Sequence, residues 1–291
     1  MREVTLAAVQ MESTRDIQAN LEKALHFIGV AVKRGAQAVC LPEAWLSGTA
    51  ERGRQHDEFM QYVVDFKDKK ICQLQDAARK HKIYLVAGGI YEREGDKIFN
   101  TVPIIKPDGE ILAKVRKSHL ENAPVKAEID HHVSIGSPDY MVFETEIGKI
   151  GVVVDIDICA IEVPRILGIK GVEVIFWPFS WTADAHDCIG IYGKAAATVT
   201  DGIVVGASHF GWGKHFEMDY FLGGSGVIDL RTYVAYVPDY SEGVAVATVD
   251  LDRVDQRRNM IRDIYPFWRR PETYGTLLDV ERERKLRGGH Y

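Results

Sequence analysis

Three stretches of the chain put charged or nucleophilic side chains directly after apolar runs. Ile150 to Val154 is apolar and gives way at once to Asp155 and Asp157, with Cys159 close behind. Ala38 to Leu41 leads through Pro42 to Glu43, and Lys114-Val-Arg-Lys117 leads to Ser118 and His119. A positioned carboxylate can take and return a proton, and an ammonium can hold negative charge that develops during a reaction. A thiol or a carboxylate can also bond to an electrophilic carbon. Each stretch has a plainer reading too: a helix-capping glutamate, a solvated cationic edge, a packing cysteine. Yet a strand buried on both faces rarely ends on two carboxylates without a reason.

Such side chains need a scaffold that gathers strand ends, and the chain reads as strand, helix, strand, repeated. Val4–Gln10 is a short apolar run. Ile17–Arg34 carries apolar residues at helical spacing (Leu21, Ala24, Leu25, Ile28, Val32) and stops at Gly35. Ala38–Leu41 reads as a strand, Val63–His81 as mostly helix and Tyr84–Gly88 as a strand. Lys97–Lys106 and Glu110–Val115 flank Pro107-Asp108-Gly109, a hairpin turn signal. Tyr140–Glu144 and Lys149–Val154 follow. A helix after Glu162, a strand at Val172–Trp177, a helix at Ile189–Asp201 and a strand at Ile203–Ser208 repeat the theme. Gly226–Leu230, Thr232–Val237 and Val244–Val249 close it as strands. Hairpins mixed with strand–helix units predict a mixed sheet covered by helices.

The 291 residues are 46% hydrophobic and 27% charged, ample for a globular core. A net charge of −6 argues against nucleic acid or an anionic membrane as the main partner. The basic clusters Lys114–Lys117 and Arg282–Arg287 are flanked by acids and read as solvated surface. Cys40, Cys72, Cys159 and Cys188 lack the CxxC or CxxH spacing of zinc and iron–sulfur sites, and read as reduced thiols. Without a leader-like start or an apolar run near the ~18–20 residues that span a bilayer, the expectation is a cytoplasmic protein. One domain is expected over residues 1–268. Residues 269–291 are charged and without a periodic face, and read as a tail, mobile or packed on a second subunit.

Read in order, these pieces resemble the carbon–nitrogen hydrolase (nitrilase) superfamily over most of the chain. Leu6-Ala-Ala-Val-Gln10 resembles its first strand and Leu41-Pro-Glu43 its glutamate motif. Asn100-Thr101 with Pro107-Asp108-Gly109 resembles its central hairpin, and Arg116-Lys117-Ser-His119-Leu120 its lysine motif. Lys170-Gly171-Val-Glu-Val-Ile175 through Trp177-Pro178 resembles the stretch after its nucleophile. Gly224-Ser225-Gly226-Val-Ile-Asp229 and Val246 to Arg253 resemble its closing strands. The resemblance implies an α/β fold, a four-layer α-β-β-α sandwich, dimerising through helices. It implies thiolate attack on a small amide, carbamoyl or nitrile carbon, with Glu43 as general base and Lys117 as oxyanion stabiliser. It implies no metal and no organic cofactor.

The nucleophile departs from that pattern, which is an apolar strand, Cys, any residue, an acid, and Glu seven residues after the Cys. Laid over Lys149 to Leu167, the pattern puts Asp157 on the acid, Glu162 on the Glu and Asp155 on the cysteine. Moving Cys159 into place fails, because Ile161 would then be the acid. The shift would also carry the thiol about one helical turn, ~6 Å, beyond the strand end. Cys159 is therefore expected to be a buried packing residue. An aspartate of ordinary pKa ~3.9 is a stable anion at neutral pH, and its attack on an amide would give a mixed anhydride. Next to Glu43 and Lys117 it should pair with the lysine or raise a neighbouring carboxylate's pKa.

Three readings follow. The chain is a C–N hydrolase whose nucleophile is replaced, leaving the form as written impaired or inactive. Alternatively it uses Asp155 for other chemistry, such as hydration or elimination, or it is a non-catalytic binding or scaffold protein on the same fold. Ile156-Asp157 resembles amidases and carbamoylases more than nitrilases, which tend to carry Trp-Glu there. Trp45, Trp177, Phe179 and Trp181 are candidate pocket walls or ordinary core, and His209 and Trp212 are secondary candidates. Some relatives use a further acid after the lysine motif; Glu128 is nearest, one residue off that register. The expected partners are a small-molecule amide or carbamoyl substrate and a second copy of the chain, with no nucleic acid and no membrane.

Overall fold

A computed structural model describes residues 1–49, 55–120, 128–136, 139–212, 220–264 and 269–286. The first elements are β1 (Glu3–Met11), α1 (Ile17–Lys33), β2 (Ala38–Cys40), α2 (His56–Phe59), α3 (Lys69–His81) and β3 (Tyr84–Val86). Next come β4 (Ile90–Glu94), β5 (Lys97–Ile105), β6 (Ile111–Arg116), β7 (Phe143–Thr145), β8 (Gly148–Val152), α4 (Glu162–Ile169), β9 (Val174–Phe179) and α5 (His186–Thr200). β10 (Ile203–His209), β11 (Gly211–Trp212), β12 (Tyr220–Phe221), β13 (Gly226–Asp229), β14 (Thr232–Tyr236) and β15 (Gly243–Asp250) follow, then α6 (Asp252–Ile264) and α7 (Val280–Leu286).

Local chemistry explains the helix ends. Asp16 accepts hydrogen bonds from the backbone N–H groups of Gln18 and Ala19, capping α1 at the residue before its first apolar position. The expected helix over 63–81 forms only from Lys69, because Asp68 caps it by accepting from the Lys70 N–H. Upstream, Val64 bridges Glu92 instead. Strand β4 was absent from the sequence reading: its Ile-Tyr-Glu-Arg-Glu run is short and charged, and the buried carboxylate of Glu92 is paired with Lys114 and Arg116.

Among the described residues, thirteen strands join one sheet in the order β4-β5-β3-β2-β1-β10-β9-β8-β7, with β6 on β5, β15 on β1, and β13 and β14 continuing from β10. β1 runs parallel to both β2 and β10, and β10, β9 and β8 are mutually parallel. Leu21, Ile28, Ile71 and Leu74 of α1 and α3 pack on Val9, Val39 and Leu85. Val163, Leu167, Ile189 and Ala196 of α4 and α5 pack on Ile175, Trp177 and Val204. The strands are buried on both faces and so read as continuous apolar runs. The expected α/β sandwich is borne out. Its parallel strands all end on one side, where side chains beyond their carboxyl ends converge.

Residues Met1–Leu251 form one compact unit and Asp252–Tyr291 a second. The described part of the second is α6, two 3₁₀ turns at Pro271–Thr273 and Gly275–Leu278, and α7. No helix among the described residues is long and apolar enough to cross a membrane.

Candidate active site

Glu43, Lys117 and Asp155 each lie just past a strand end, after β2, β6 and β8. Glu43 is seated by the next residue: Ala44, in left-handed backbone (φ 50°), donates its N–H to the Gly89 carbonyl at 2.8 Å. Gly89 is required for space, since a Cβ there would lie 2.7 Å from Glu43 Cγ and 2.6 Å from Asn100 Oδ1. Lys117 is pinned from both sides, donating its N–H to Asn100 O and accepting the Gly136 N–H at its carbonyl, each at 2.9 Å. Asp155 is also left-handed (φ 48°) and opens a 3₁₀ turn over Asp155–Cys159. The Trp177 indole holds that turn by donating to Asp155 O at 3.0 Å.

These placements bring one ammonium against three carboxylates. Lys117 Nζ is 3.0 Å from Glu43 Oε1, 2.9 Å from Glu128 Oε2 and 2.7 Å from Asp155 Oδ2, with all four side chains at most 3% exposed. Asn100 Nδ2 bridges two of the acids, donating to Glu43 Oε1 and Glu128 Oε1 at 2.7 Å each. Ser180, one residue past β9, donates its hydroxyl to Glu43 Oε2 at 2.6 Å and its backbone N–H to Asp155 Oδ1 at 3.3 Å. An ammonium has three N–H donors, so the three carboxylates account for every one.

The charge balance follows from burial. Burial first, and then the Asp155 charge, push the Glu43 carboxyl well above the usual carboxylate range, with Lys117 and Ser180 pulling the other way. Burial works against the Lys117 ammonium, but Asp155, Glu128 and Glu43 together hold it well above its ordinary value. Burial and the surrounding charges thus favour the proton on Glu43 and the charged form of Lys117. Such a set can give or take a proton and can neutralise an anion at one point.

Asp157 serves the lysine segment. Its carboxylate accepts the backbone N–H groups of Ser118 and His119 at 3.1 and 2.7 Å and faces His119 Nδ1 at 2.7 Å. The bond to Asp157 raises the His119 pKa above its usual value, against partial burial. Stability from this pair is therefore full below the unfolded histidine value of ~6.5 and fades as pH rises through the higher folded value. Asp157→Asn is expected to lower the His119 titration midpoint and to flatten that stretch of the stability–pH curve. An unchanged midpoint by NMR would show that Asp157 does not set the charge of this histidine.

The sequence model described as Carbon-nitrogen hydrolase matches residues 5–259. The chain belongs to the carbon–nitrogen hydrolase family. It is 27% identical to an N-carbamoylputrescine amidase of Solanum lycopersicum, over 96% of each chain. It is 30% identical to Omega-amidase NIT2 of Danio rerio, over 90% of this chain and 93% of the relative. Among solved structures, Saccharomyces cerevisiae Nit3, a member of branch 10 of the nitrilase superfamily, superposes with a TM-score of 0.77 at 25% identity, covering 92% of this chain and 96% of that one. A carbon–nitrogen hydrolase from Helicobacter pylori G27 shares the fold, with a TM-score of 0.84 at 19% identity and coverage of 95% and 98%.

The other candidates of this carbon–nitrogen hydrolase separate. Trp45 is fully buried and its indole donates to Ala87 O at 2.7 Å, which makes it core. Trp181 lies beside the cluster in sequence, next to Ser180, with its ring edge-on to Trp177, Phe179 and Tyr192 at 5.4, 6.0 and 5.7 Å. Its indole N–H is buried without a partner. His209 is buried with Nδ1 3.4 Å from Ser13 Oγ and its ring against Phe221. The side chain of Trp212 lies outside the described residues.

Cys159 is a correction. It was expected to be buried, but the hydrolase exposes it, because the 3₁₀ turn that buries Ile158 swings the next residue outward. Desolvation of the thiol itself, and then the Asp155 charge, still push its pKa to about 11. Asn100 and Ser180 were missed as site residues. Asn100 stood in a quoted hairpin motif and Ser180 just after Trp177-Pro178, but an amide and a hydroxyl carry no signal until the fold shows what they face.

Proposed function

We propose that this carbon–nitrogen hydrolase is built for a small amide or carbamoyl compound, with Glu43 as general base, Lys117 as oxyanion stabiliser and Asp155 on the nucleophile's place. The observation that carries this reading is the saturation of Lys117 by Glu43, Glu128 and Asp155, each within 3.0 Å. With a cysteine at residue 155 one N–H of that lysine would be released toward a substrate oxygen, and a thiol would stand beside the base. With aspartate there, both the nucleophile and the oxyanion donor are lost, so the form as written is impaired. The amidase and carbamoyl-amidase names of the relatives support the substrate class. The test is ammonia release from a panel of amides, carbamoyl compounds and nitriles, by this protein and by Asp155→Cys.

We also propose that the hydrolase is a cytoplasmic homo-oligomer that pairs through α4 and α5. These helices pack side by side, and Ile169 and Ile191 on them are 56% and 64% exposed. Ile191→Asp is expected to lower the mass seen by light scattering. A wild-type monomer at micromolar concentration would sink this part of the reading.

A further inference from the structure

We propose that the protein as it stands has a second activity: Asp155 opens small epoxides by attack on a ring carbon, and the cluster around it hydrolyses the ester that forms. This goes beyond the C–N hydrolase reading and concerns the aspartate itself. A carboxylate is a poor nucleophile for an amide carbonyl, where it must form an anhydride. At a strained sp³ carbon the product is an ordinary ester.

The two oxygens of Asp155 are held differently. Oδ2 accepts from Lys117 Nζ at 2.7 Å, whereas Oδ1 takes a longer 3.3 Å contact from the Ser180 N–H. Attack through Oδ1 leaves Oδ2 as the carbonyl oxygen of the new ester. When water later adds to that carbonyl carbon, the oxyanion forms on the atom to which Lys117 already donates. A leaving epoxide oxygen needs a proton, and three buried carboxylates around one ammonium keep one at hand. Burial and the Asp155 charge raise the Glu43 carboxyl above the usual carboxylate range, which favours it as the carrier.

The steps balance. Oδ1 of the Asp155 carboxylate bonds to a ring carbon, the carbon–oxygen bond of the ring breaks, and the freed oxygen takes a proton from Glu43. This gives a hydroxyalkyl ester and a Glu43 carboxylate. With Asp155 now neutral, the charge that held the Glu43 proton is gone, so Glu43 can act as base. It removes a proton from a water that attacks the ester carbon. Collapse breaks the bond between the ester carbon and Oδ1, which departs on the alkyl group as an alkoxide and takes that proton back from Glu43. The proton left on Asp155 passes back to Glu43, so epoxide and water give a vicinal diol.

The probe is 1,2-epoxypropane, chosen because Glu43 and Asp155 are each only 3% exposed at the side chain. Excess full-length protein in ¹⁸O-water should yield propane-1,2-diol without label in the first turnover and with one ¹⁸O in later ones. Acid-quenched protein should carry the ester on Asp155, found by peptide mapping. Asp155→Asn should lower diol formation by at least about 10³-fold, the scale of losing a nucleophile. No diol from the wild-type protein, label in the first-turnover diol, or adducts confined to Cys72 and Cys159 would each overturn the proposal. The wild-type readings decide it even if the variant fails to fold. Amide turnover by Asp155→Cys is measured separately, so either idea can fail without the other.

Discussion

Asp155→Cys is expected to raise ammonia release from the best amide or carbamoyl substrate by at least about 10³-fold, and by up to the order of 10⁶, the range that loss of an activated nucleophile spans. Three changes act together. The substitution installs a group whose attack leads to a thioester rather than an anhydride. It removes a carboxylate from Lys117, returning an N–H donor to the position where an oxyanion would form. It also removes the charge that, after burial, does most to raise the Glu43 pKa, which brings that carboxyl closer to serving as a base near neutral pH. The acid limb of the pH–rate profile should therefore follow Glu43, and Glu43→Gln in the cysteine background should abolish the gain. Equal, negligible turnover by both forms across the whole panel would defeat the hydrolase reading of the site. Turnover by the wild-type protein that Asp155→Cys destroys would instead make Asp155 a working group in other chemistry.

Lys117→Met is expected to destabilise the protein by about 3–5 kcal/mol at pH 7.5, the range seen when one partner of a buried ion pair is removed. The lysine is the ammonium shared by three carboxylates that are themselves at most 3% exposed. Without it their repulsion has no opposing charge at the centre, and only protonation can relieve it. The loss should therefore shrink as pH falls and the acids take up protons. Adding Asp155→Asn should recover part of it, a coupling that a double-mutant cycle reads directly. In the wild-type protein the sign is set by Glu43, whose folded pKa is raised. Above its unfolded value of ~4.3 the native state holds a proton that the unfolded chain has lost, so this group's contribution falls as pH rises through that window. Urea unfolding at pH 5 and 7.5 checks both points. A Lys117→Met protein as stable as wild type at neutral pH would mean that the carboxylates are discharged without the lysine.

Much of this was legible in the linear chain. Continuous apolar runs mark strands covered on both faces, and Asp16 marks where α1 begins, because capping is decided within four residues. Glu43, Lys117 and Asp155 were grouped by the family resemblance of the motifs around them, and β2 and β8, which precede Glu43 and Asp155, run the same way through the parallel part of the sheet. The charged strand β4 was not legible, because Glu92 is tolerable there only through Lys114 and Arg116 on β6, a strand that shares β5 with it.

The sequence by itself determined which side chains could take part. Only the tertiary structure decided how they act on one another. It set Glu128 on Lys117 and made Asn100 and Ser180 part of the same network. It turned Cys159 outward at the end of a five-residue turn. The physical reason is range. Capping and strand patterning are settled between residues a few positions apart, whereas the protonation of Glu43 depends on Asp155, a charge 112 positions along the chain that matters only once water is excluded from between them.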